Sequence, residues 1–143
     1  MADIQHDFVI NAPTATVFEA MTAPAGLDSW WTKQCAGEPV AGCSYELGFG
    51  GGYDWRAVVR TVVPGRELEW EITGADEDWT GTRVGFRLEE DDSGTVVRFH
   101  HAGWREANGH HRTTCYCWAM YLRLLKRYVE HGEVVRYERR LEV

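Results

Sequence analysis

Apolar and polar residues alternate with a period of two over two parts of the chain, which is the pattern of half-buried β-strands. The first part, residues 4–10, predicts one strand, and the strand-breaking sequence Asn11-Ala12-Pro13 follows it. From residue 43 onward the same period recurs in five rows that we expect to face inward. These rows are Cys43, Tyr45, Leu47 and Phe49; Trp55, Ala57, Val59, Thr61 and Val63; Leu68, Trp70 and Ile72; Val84, Phe86 and Leu88; and Val97, Phe99 and His101. They predict an antiparallel sheet with one solvated face.

The segments between these rows carry turn and loop signals. Pro64-Gly65 is a turn signal, and the acidic segments 75–79 and 89–94 are expected to be loops. The glycine-rich segment 48–52 matches neither of the common phosphate-binding patterns, GxGxxG and GxxxxGK, and a strand follows it instead of a helix. We therefore expect a hairpin whose glycines adopt positive φ.

Two short helices are predicted between the first strand and the remaining strands. Pro13 precedes residues 14–21, where the apolar spacing predicts a short amphipathic helix that Pro24 ends. Apolar residues at 27, 30 and 31 mark a second short helical segment.

A long C-terminal helix is predicted over residues 110–131, and Gly132 is its natural stop. On a helical wheel one broad face collects Thr114, Trp118, Tyr121, Leu122, Leu125, Tyr128 and Val129. An apolar helix face and an apolar sheet face must each be buried against another element. The chain is therefore predicted to be one α+β domain, residues 1–143, in which a bent antiparallel sheet wraps around this helix.

Length, composition and charge exclude several classes of protein. The chain has 143 residues, is 44% hydrophobic and 13% aromatic, and shows no shift in composition that would mark a linker. This excludes disordered, collagen-like and low-complexity chains. Its 15 basic and 22 acidic residues give a net charge of −7, the wrong sign for a protein held mainly on phosphates. Nucleic acid is therefore not an expected partner.

The N-terminus and the longest apolar runs bear on location. No apolar run approaches the ~20 residues of a membrane span, and the N-terminus lacks the basic and apolar regions of a signal peptide. We expect a cytoplasmic protein without a membrane span. In that compartment Cys35, Cys43, Cys115 and Cys117 are expected to stay free thiols.

Histidines and cysteines near the C-terminal helix are candidates for metal binding and for nucleophilic catalysis. At most His101, His111 and Cys115 could converge on one metal ion. Cys115 and His111 lie four residues apart on the predicted helix, so the thiol and the imidazole could also touch. The spacing matches no zinc or nucleophile motif. We therefore expect no metal, no other cofactor and no catalytic residue here.

Several segments together resemble one superfamily. They are Asn11-Ala12-Pro13 ahead of residues 17–21, the pair Trp30-Trp31, residues 62–68, His101-Ala102-Gly103-Trp104, and the terminal helix with Trp118. In their order and spacing, over residues 4–132, they resemble the START/Bet v 1-like (SRPBCC) superfamily, and within it the activator of Hsp90 ATPase homologue 1-like family.

The resemblance implies a helix-grip (Bet v 1-like) fold. In this fold a curved antiparallel sheet grips the long C-terminal helix, two short helices follow strand 1, and a cavity lies between sheet and helix. Superfamily members bind lipids, hormones or polyketides there, and some catalyse cyclisation or dehydration. The chain departs from the pattern at Cys117-Trp118, where relatives often have Gly-Trp. It also has no room for the additional N-terminal domain of full-length Hsp90 co-chaperones, which argues against a chaperone partner.

Aromatic side chains with a few polar groups make up the candidate site. Nine residues are expected to face the space between sheet and helix and to bind a ligand: Tyr45, Trp55, Trp70, Phe86, His101, Trp104, Thr114, Trp118 and Tyr121. Such a mostly apolar space has the composition of a small-molecule pocket, and the alternative is a core filled by the same rings. His101 either presents an acid, base or donor to the ligand or is a core histidine bonded to its neighbours.

The predicted function is binding of a small hydrophobic or aromatic molecule in that cavity, by a protein that could form a homodimer. One alternative is a polyketide cyclase/aromatase-like enzyme with His101 as general acid or base. Another is an Hsp90-activator-like protein-interaction module. An enzyme needs converging polar groups, and only His101, Thr61 and Thr114 offer them. This shortage favours binding over catalysis.

Overall fold

A seven-stranded antiparallel sheet is the frame of the protein in the computed structural model, which describes residues 2–143. In chain order its strands are β1 (Ala2–Ile10), β2 (Gln34–Ala36), β3 (Ser44–Gly48), β4 (Asp54–Val63), β5 (Glu67–Gly74), β6 (Arg83–Asp91) and β7 (Gly94–Trp104). They lie in the order β1-β7-β6-β5-β4-β3-β2. Each strand from β2 onward therefore pairs with the next one along the chain, and β1 pairs with β7.

Four helical segments complete the fold: α1 (Thr14–Thr22), α2 (Pro24–Trp30), α3 (Gly109–His131) and a C-terminal 3₁₀ helix (Tyr137–Glu142). The first helix ends before Pro24, as predicted, and Pro24 also opens α2, where its missing N–H leaves no bond unmade. The Asn108 side chain caps α3 by accepting from the His111 backbone N–H at 2.9 Å. Gly132, with a φ of 69°, ends α3 in the left-handed conformation, which confirms the predicted stop. None of the helices in the described chain is long and apolar enough to cross a membrane.

The curved sheet grips α3 through apolar side chains. Trp118, Leu122 and Leu125 of α3 are all buried. The Trp118 ring lies 4.6 Å from the Phe99 ring of β7, measured between centroids. Burial of these apolar faces against each other is the main stabilising contribution to such a fold. The predicted α+β helix-grip architecture, with two short helices after the first strand, is confirmed.

A β-bulge in β4 overturns part of one predicted inward row. The register of β4 against β5 shifts between Val59, which pairs with Trp70, and Thr61, which pairs with Glu69. The extra residue reverses the alternation, so that Thr61 and Val63 lie on the solvent face and are exposed. The prediction that Thr61 and Val63 face inward is therefore wrong.

Three further features differ from the sequence prediction. The three-residue strand β2 is too short to show a period in the sequence. The 3₁₀ helix lies beyond Gly132, where no element was expected. Residues 89–91 belong to β6 instead of a loop, so the turn between β6 and β7 is shorter than predicted.

Candidate functional site

An open groove of about 640 Å³ lies where the β3–β4 hairpin, α3 and the C-terminal 3₁₀ helix meet. Its volume is in the range of pockets that hold small organic molecules. Seven of the side chains that line it are aromatic: Trp31, Phe49, Tyr53, Trp55, Trp79, Tyr121 and Tyr137. Lys33, Glu138 and the backbone at Gly50 and Gly51 also line it. Because its walls are mostly rings, this aromatic groove presents an apolar surface to water.

The rings of the aromatic groove form a continuous layer. Their centroids are 5.6 Å apart for Trp31 and Phe49, 5.2 Å for Phe49 and Trp55, and 4.9 Å for Trp55 and Trp79. Trp31 and Trp79 are only 2% and 7% exposed and form the floor, whereas Tyr53 at the rim is 62% exposed. Rings at these distances and inclined angles attract one another and restrict one another's rotation. Ring packing therefore holds the floor in shape.

The β3–β4 hairpin supplies one wall of the groove, and glycines make that wall. Gly50, Gly51 and Gly52 all have positive φ, between 58° and 87°, which residues with a Cβ rarely adopt. The Tyr53 backbone N–H donates to the Gly50 carbonyl at 3.0 Å and closes the turn. The predicted glycine hairpin is confirmed, and it brings Phe49 and Tyr53 to the groove.

The C-terminal 3₁₀ helix supplies a second wall and is held by two anchors. The Tyr137 hydroxyl donates to the Phe49 carbonyl at 2.7 Å. The Arg140 guanidinium, 3% exposed, donates to the carbonyl oxygens of Asp28 at 2.6 Å and Thr32 at 3.1 Å. Burial lowers the pKa of Arg140, yet the guanidinium stays charged because its ordinary pKa is far above neutrality. These bonds tie the end of the chain to the α2–β2 junction, which carries part of the groove floor.

Two of the nine residues predicted to bind a ligand line this groove, and seven lie in the packed core. The two are Trp55 and Tyr121, which are partly exposed. The seven are at most 5% exposed: Tyr45, Trp70, Phe86, His101, Trp104, Thr114 and Trp118. Their rings pack against one another, with centroids 4.9 Å apart for His101 and Trp104. Beneath α3 the structure thus has the filled core that the sequence left open as the alternative.

His101 is held in a series of buried hydrogen bonds that sets its protonation state. Trp118 donates from Nε1 to His101 Nδ1 at 3.1 Å, which makes Nδ1 an acceptor without a proton. Nε2 therefore carries the hydrogen and donates to the Thr82 hydroxyl at 2.8 Å, and this hydroxyl donates in turn to the Trp79 carbonyl. Burial lowers the pKa of His101 to about 3. His101 is thus a neutral core histidine bonded to its neighbours.

Four buried side-chain nitrogens of the described chain have no hydrogen-bond partner: Nε1 of Trp70, Trp79 and Trp104, and Nε2 of His111. Buried donors without acceptors are uncommon and unfavourable. Trp70 and Trp104 lie in the core, whereas Trp79 lines the aromatic groove. The Trp79 ring forms part of the groove floor, but its nitrogen is itself enclosed by protein. Sequence reasoning missed Trp79 as a site residue because it lies in a predicted loop.

The histidines and cysteines near α3 do not assemble as one site. His101 uses both ring nitrogens in the bonds described above. The Cys115 thiol lies 3.8 Å from Nε2 of His6 on β1, and the His111 ring packs 5.1 Å from the Trp104 ring. His101, His111 and Cys115 therefore do not converge on one position where they could bind a metal ion. Within residues 2–143, no group of three or more His, Cys, Asp or Glu side chains is arranged to hold a metal ion.

Comparison with known proteins extends the sequence resemblance. The sequence matches the family described as "Activator of Hsp90 ATPase homolog 1-like protein" over residues 11–130. No curated protein matches the chain at a significant level. Among solved structures, the Aha1 dimer from Colwellia psychrerythraea is 32% identical, and the alignment covers 93% of this chain and 99% of that chain with a TM-score of 0.84.

Two more distant structures share the fold at 21% identity each. Protein SSP2350 from Staphylococcus saprophyticus aligns over 94% of this chain and 96% of that chain, with a TM-score of 0.80. CalU16 from Micromonospora echinospora aligns over 98% of this chain and 80% of that chain, with a TM-score of 0.72. The family match spans α1 to α3 and ends before the 3₁₀ helix. On the strength of these matches, the chain belongs to the activator of Hsp90 ATPase homolog 1-like family.

Proposed function

We propose that the protein binds a small aromatic or hydrophobic molecule in the aromatic groove and does not itself transform it. The observation that carries this proposal is the set of rings around a space of about 640 Å³, with two buried tryptophans as its floor. Contiguous apolar surface at the outside of a protein is typical of a binding site. Apolar ligand atoms that leave water for such a surface are stabilised by about 25 cal/mol per Å².

The area of contact indicates the order of magnitude of the affinity. A two-ring molecule that removes roughly 300–400 Å² of apolar surface from water, counting both partners, gains about 8–10 kcal/mol. The loss of translational and rotational freedom opposes this by at least about 4 kcal/mol. The remainder, at most about 4–6 kcal/mol, corresponds to a Kd in the range from about 1 mM to about 40 µM.

A cyclase-like activity has less support. General acid–base catalysis needs a titratable group that reaches the substrate and changes protonation near neutral pH. His101, the candidate from the sequence, is fully buried, keeps both nitrogens in hydrogen bonds and has a pKa lowered to about 3. Thr114 is buried, and Thr61 lies on the solvent face of the sheet. The three polar groups considered for catalysis therefore do not meet around a common space.

Isothermal titration calorimetry with naphthamide, a neutral two-ring probe, tests the proposal. We expect saturable binding to the wild-type protein and a loss of at least about tenfold in affinity for Trp55→Ala, because this ring is central to the groove wall. Tyr116→Ala is the matched control, since Tyr116 lies on α3, is 79% exposed and is not among the groove residues. It should bind the probe as the wild type does.

Two results would contradict the proposed function. One is the absence of any binding by the wild-type protein. The other is binding by Trp55→Ala that equals that of the wild type. Either result would favour the protein-interaction role that the family description suggests.

A further inference from the structure

We propose that the aromatic groove prefers aromatic molecules that carry a carboxylate, with the Lys33 ammonium as the counter-ion. This inference rests on the proposed binding function and adds the charge class of the ligand. Of the described residues that line the groove, Lys33 is the one cation, and its Nζ lies 5.9 Å from the centroid of the Tyr137 ring. An ammonium next to an apolar surface attracts a carboxylate more strongly than one in open water does.

The Lys33 side chain is held at the rim by the hairpin. Its backbone N–H donates to the Gly48 carbonyl at 2.8 Å. Its stem lies so close to Gly50 that a Cβ built there would come within 3.2 Å of Lys33 Cδ and 3.4 Å of Nζ. The missing side chain at Gly50 thus leaves room for the lysine stem along the hairpin. This packing keeps the ammonium beside the aromatic rings.

Among the residues that the structure describes, Lys33 has no carboxylate partner, unlike Lys126, the other lysine of the chain. Lys126 Nζ lies 2.8 Å from Glu130. Within residues 2–143, no Asp or Glu oxygen lies within 4.0 Å of Lys33 Nζ. The ammonium stays unpaired although the protein carries 22 acidic side chains and a net charge of −7. Its charge is therefore available to an anionic group on a ligand.

The Tyr121 side chain also lines the groove, and its hydroxyl is a group that can donate a hydrogen bond to a carboxylate. The Tyr121 hydroxyl is protonated at neutral pH, and burial raises the pKa of Tyr121 further, to about 12. The same hydroxyl can accept from an ammonium, so the preference for a carboxylate rests on Lys33. Glu138, the acidic residue of the lining, opposes the preference, so its neutralisation should strengthen carboxylate binding.

Three probes of similar shape distinguish the contribution of ligand charge to the affinity from that of ring packing. They are naphthoate, naphthamide and naphthylmethylammonium. The calorimetric titrations are done at about pH 7 in about 150 mM NaCl. At this salt concentration the electric field of the protein's net charge is largely screened beyond about 8 Å. We expect wild-type protein to bind naphthoate about fivefold more tightly than naphthamide and the ammonium probe most weakly. In Lys33→Met the preference should be lost, so that the ratio of naphthoate affinity to naphthamide affinity falls from about five to about one or below.

Two variants on the 3₁₀ helix complete the design. Arg139→Met is the matched control because it removes the same single charge from a residue whose side chain is 64% exposed and lies outside the groove lining. It should keep the full preference for naphthoate. Glu138→Gln should raise that preference about twofold.

Three results would overturn this inference and leave the proposed binding function standing. They are equal affinity of the wild type for the three probes, tightest binding of the ammonium probe, and a preference for naphthoate that persists in Lys33→Met. Failure of all three probes to bind would overturn both the inference and the proposed function.

Discussion

The indole nitrogen of Trp118 and Nδ1 of His101 lie 3.1 Å apart, and their hydrogen bond determines the chemistry available to the histidine. An indole N–H can only donate, so Nδ1 must accept and the imidazole must be neutral. A proton added at Nδ1 would place the imidazole N–H opposite the indole N–H of Trp118, so that two buried donors would face each other without an acceptor. This pairing makes the foremost acid–base candidate of the sequence a structural residue.

Acid should destabilise the protein in part through His101. Its folded-state pKa of about 3 lies below the ordinary value of 6.5, so the unfolded state binds the extra proton between these values. The stability that neutral His101 contributes is complete above about pH 6.5 and is lost as the pH falls toward about 3. Between about pH 7 and pH 5, the wild type should lose about 2 kcal/mol more unfolding free energy than His101→Gln, measured by urea denaturation.

His131→Gln serves as the control for this pH dependence, since the His131 side chain is 70% exposed at the end of α3. Its loss of stability on acidification should match that of the wild type within about 0.5 kcal/mol. Equal losses for the wild type and His101→Gln would mean that His101 is not held neutral in the folded protein.

Tryptophans of the core and of the groove should respond differently to truncation. Trp118→Ala removes a 2% exposed indole packed on Phe99 and should reduce the unfolding free energy by about 4 kcal/mol. Trp55→Ala removes a partly exposed ring and should reduce it by about 1 kcal/mol while it weakens naphthamide binding. Urea denaturation and calorimetry on the same samples check both effects. A Trp55→Ala protein as unstable as Trp118→Ala would mean that Trp55 belongs to the core.

The Arg140 anchor of the 3₁₀ helix should be important for the stability of the protein as well as for ligand binding. Arg140→Met leaves the carbonyl oxygens of Asp28 and Thr32 without their donor and should reduce the unfolding free energy by about 3 kcal/mol. Because this helix carries a groove wall, naphthamide affinity should fall too. Arg139→Met, at the exposed neighbouring position, should change stability by less than about 0.5 kcal/mol. If Arg140→Met has the same unfolding free energy as the wild type, the helix is not anchored through this guanidinium.

The four cysteines should differ in reactivity toward iodoacetamide. Burial, with a smaller contribution from Asp28, raises the pKa of Cys35 to about 12, so its thiolate is scarce at about pH 8. The Cys35 peptide should therefore be alkylated more slowly than the peptide with the partly exposed Cys115, as followed by mass spectrometry. Denaturant should remove the difference. Fast labelling of Cys35 in the native protein would contradict its burial.

The sequence predicts the frame of the fold because strands and a long helix repeat with a period. Alternation correctly predicts the inward positions of Tyr45, Trp70 and Phe86, which are all buried. It fails at the bulge of β4, where one extra residue reverses the faces of Thr61 and Val63. A bulge is defined by the pairing of two strands, and the pattern of one strand does not report it.

The aromatic groove is harder to predict for a physical reason. Periodic positions face the core, so the residues that a pattern selects are those that become buried. The groove opens where periodic elements end: at the β3–β4 turn, in the loop that carries Trp79 and in the 3₁₀ helix that carries Tyr137. Trp79 follows three acidic residues, 76–78, and has no repeat around it. Its one signal is that a large aromatic ring isolated in a loop has to pack against something.

The indole N–H signals of the seven tryptophans, followed by heteronuclear NMR during a titration with naphthamide, test the central claim most directly. If the aromatic groove binds the probe, the signals of Trp55 and Trp79 shift with added naphthamide, because both rings line the groove. The signals of Trp30 and Trp104, which are buried in the core, should change little. Largest shifts at Trp104, or no shift at any indole, would contradict the groove as the binding site.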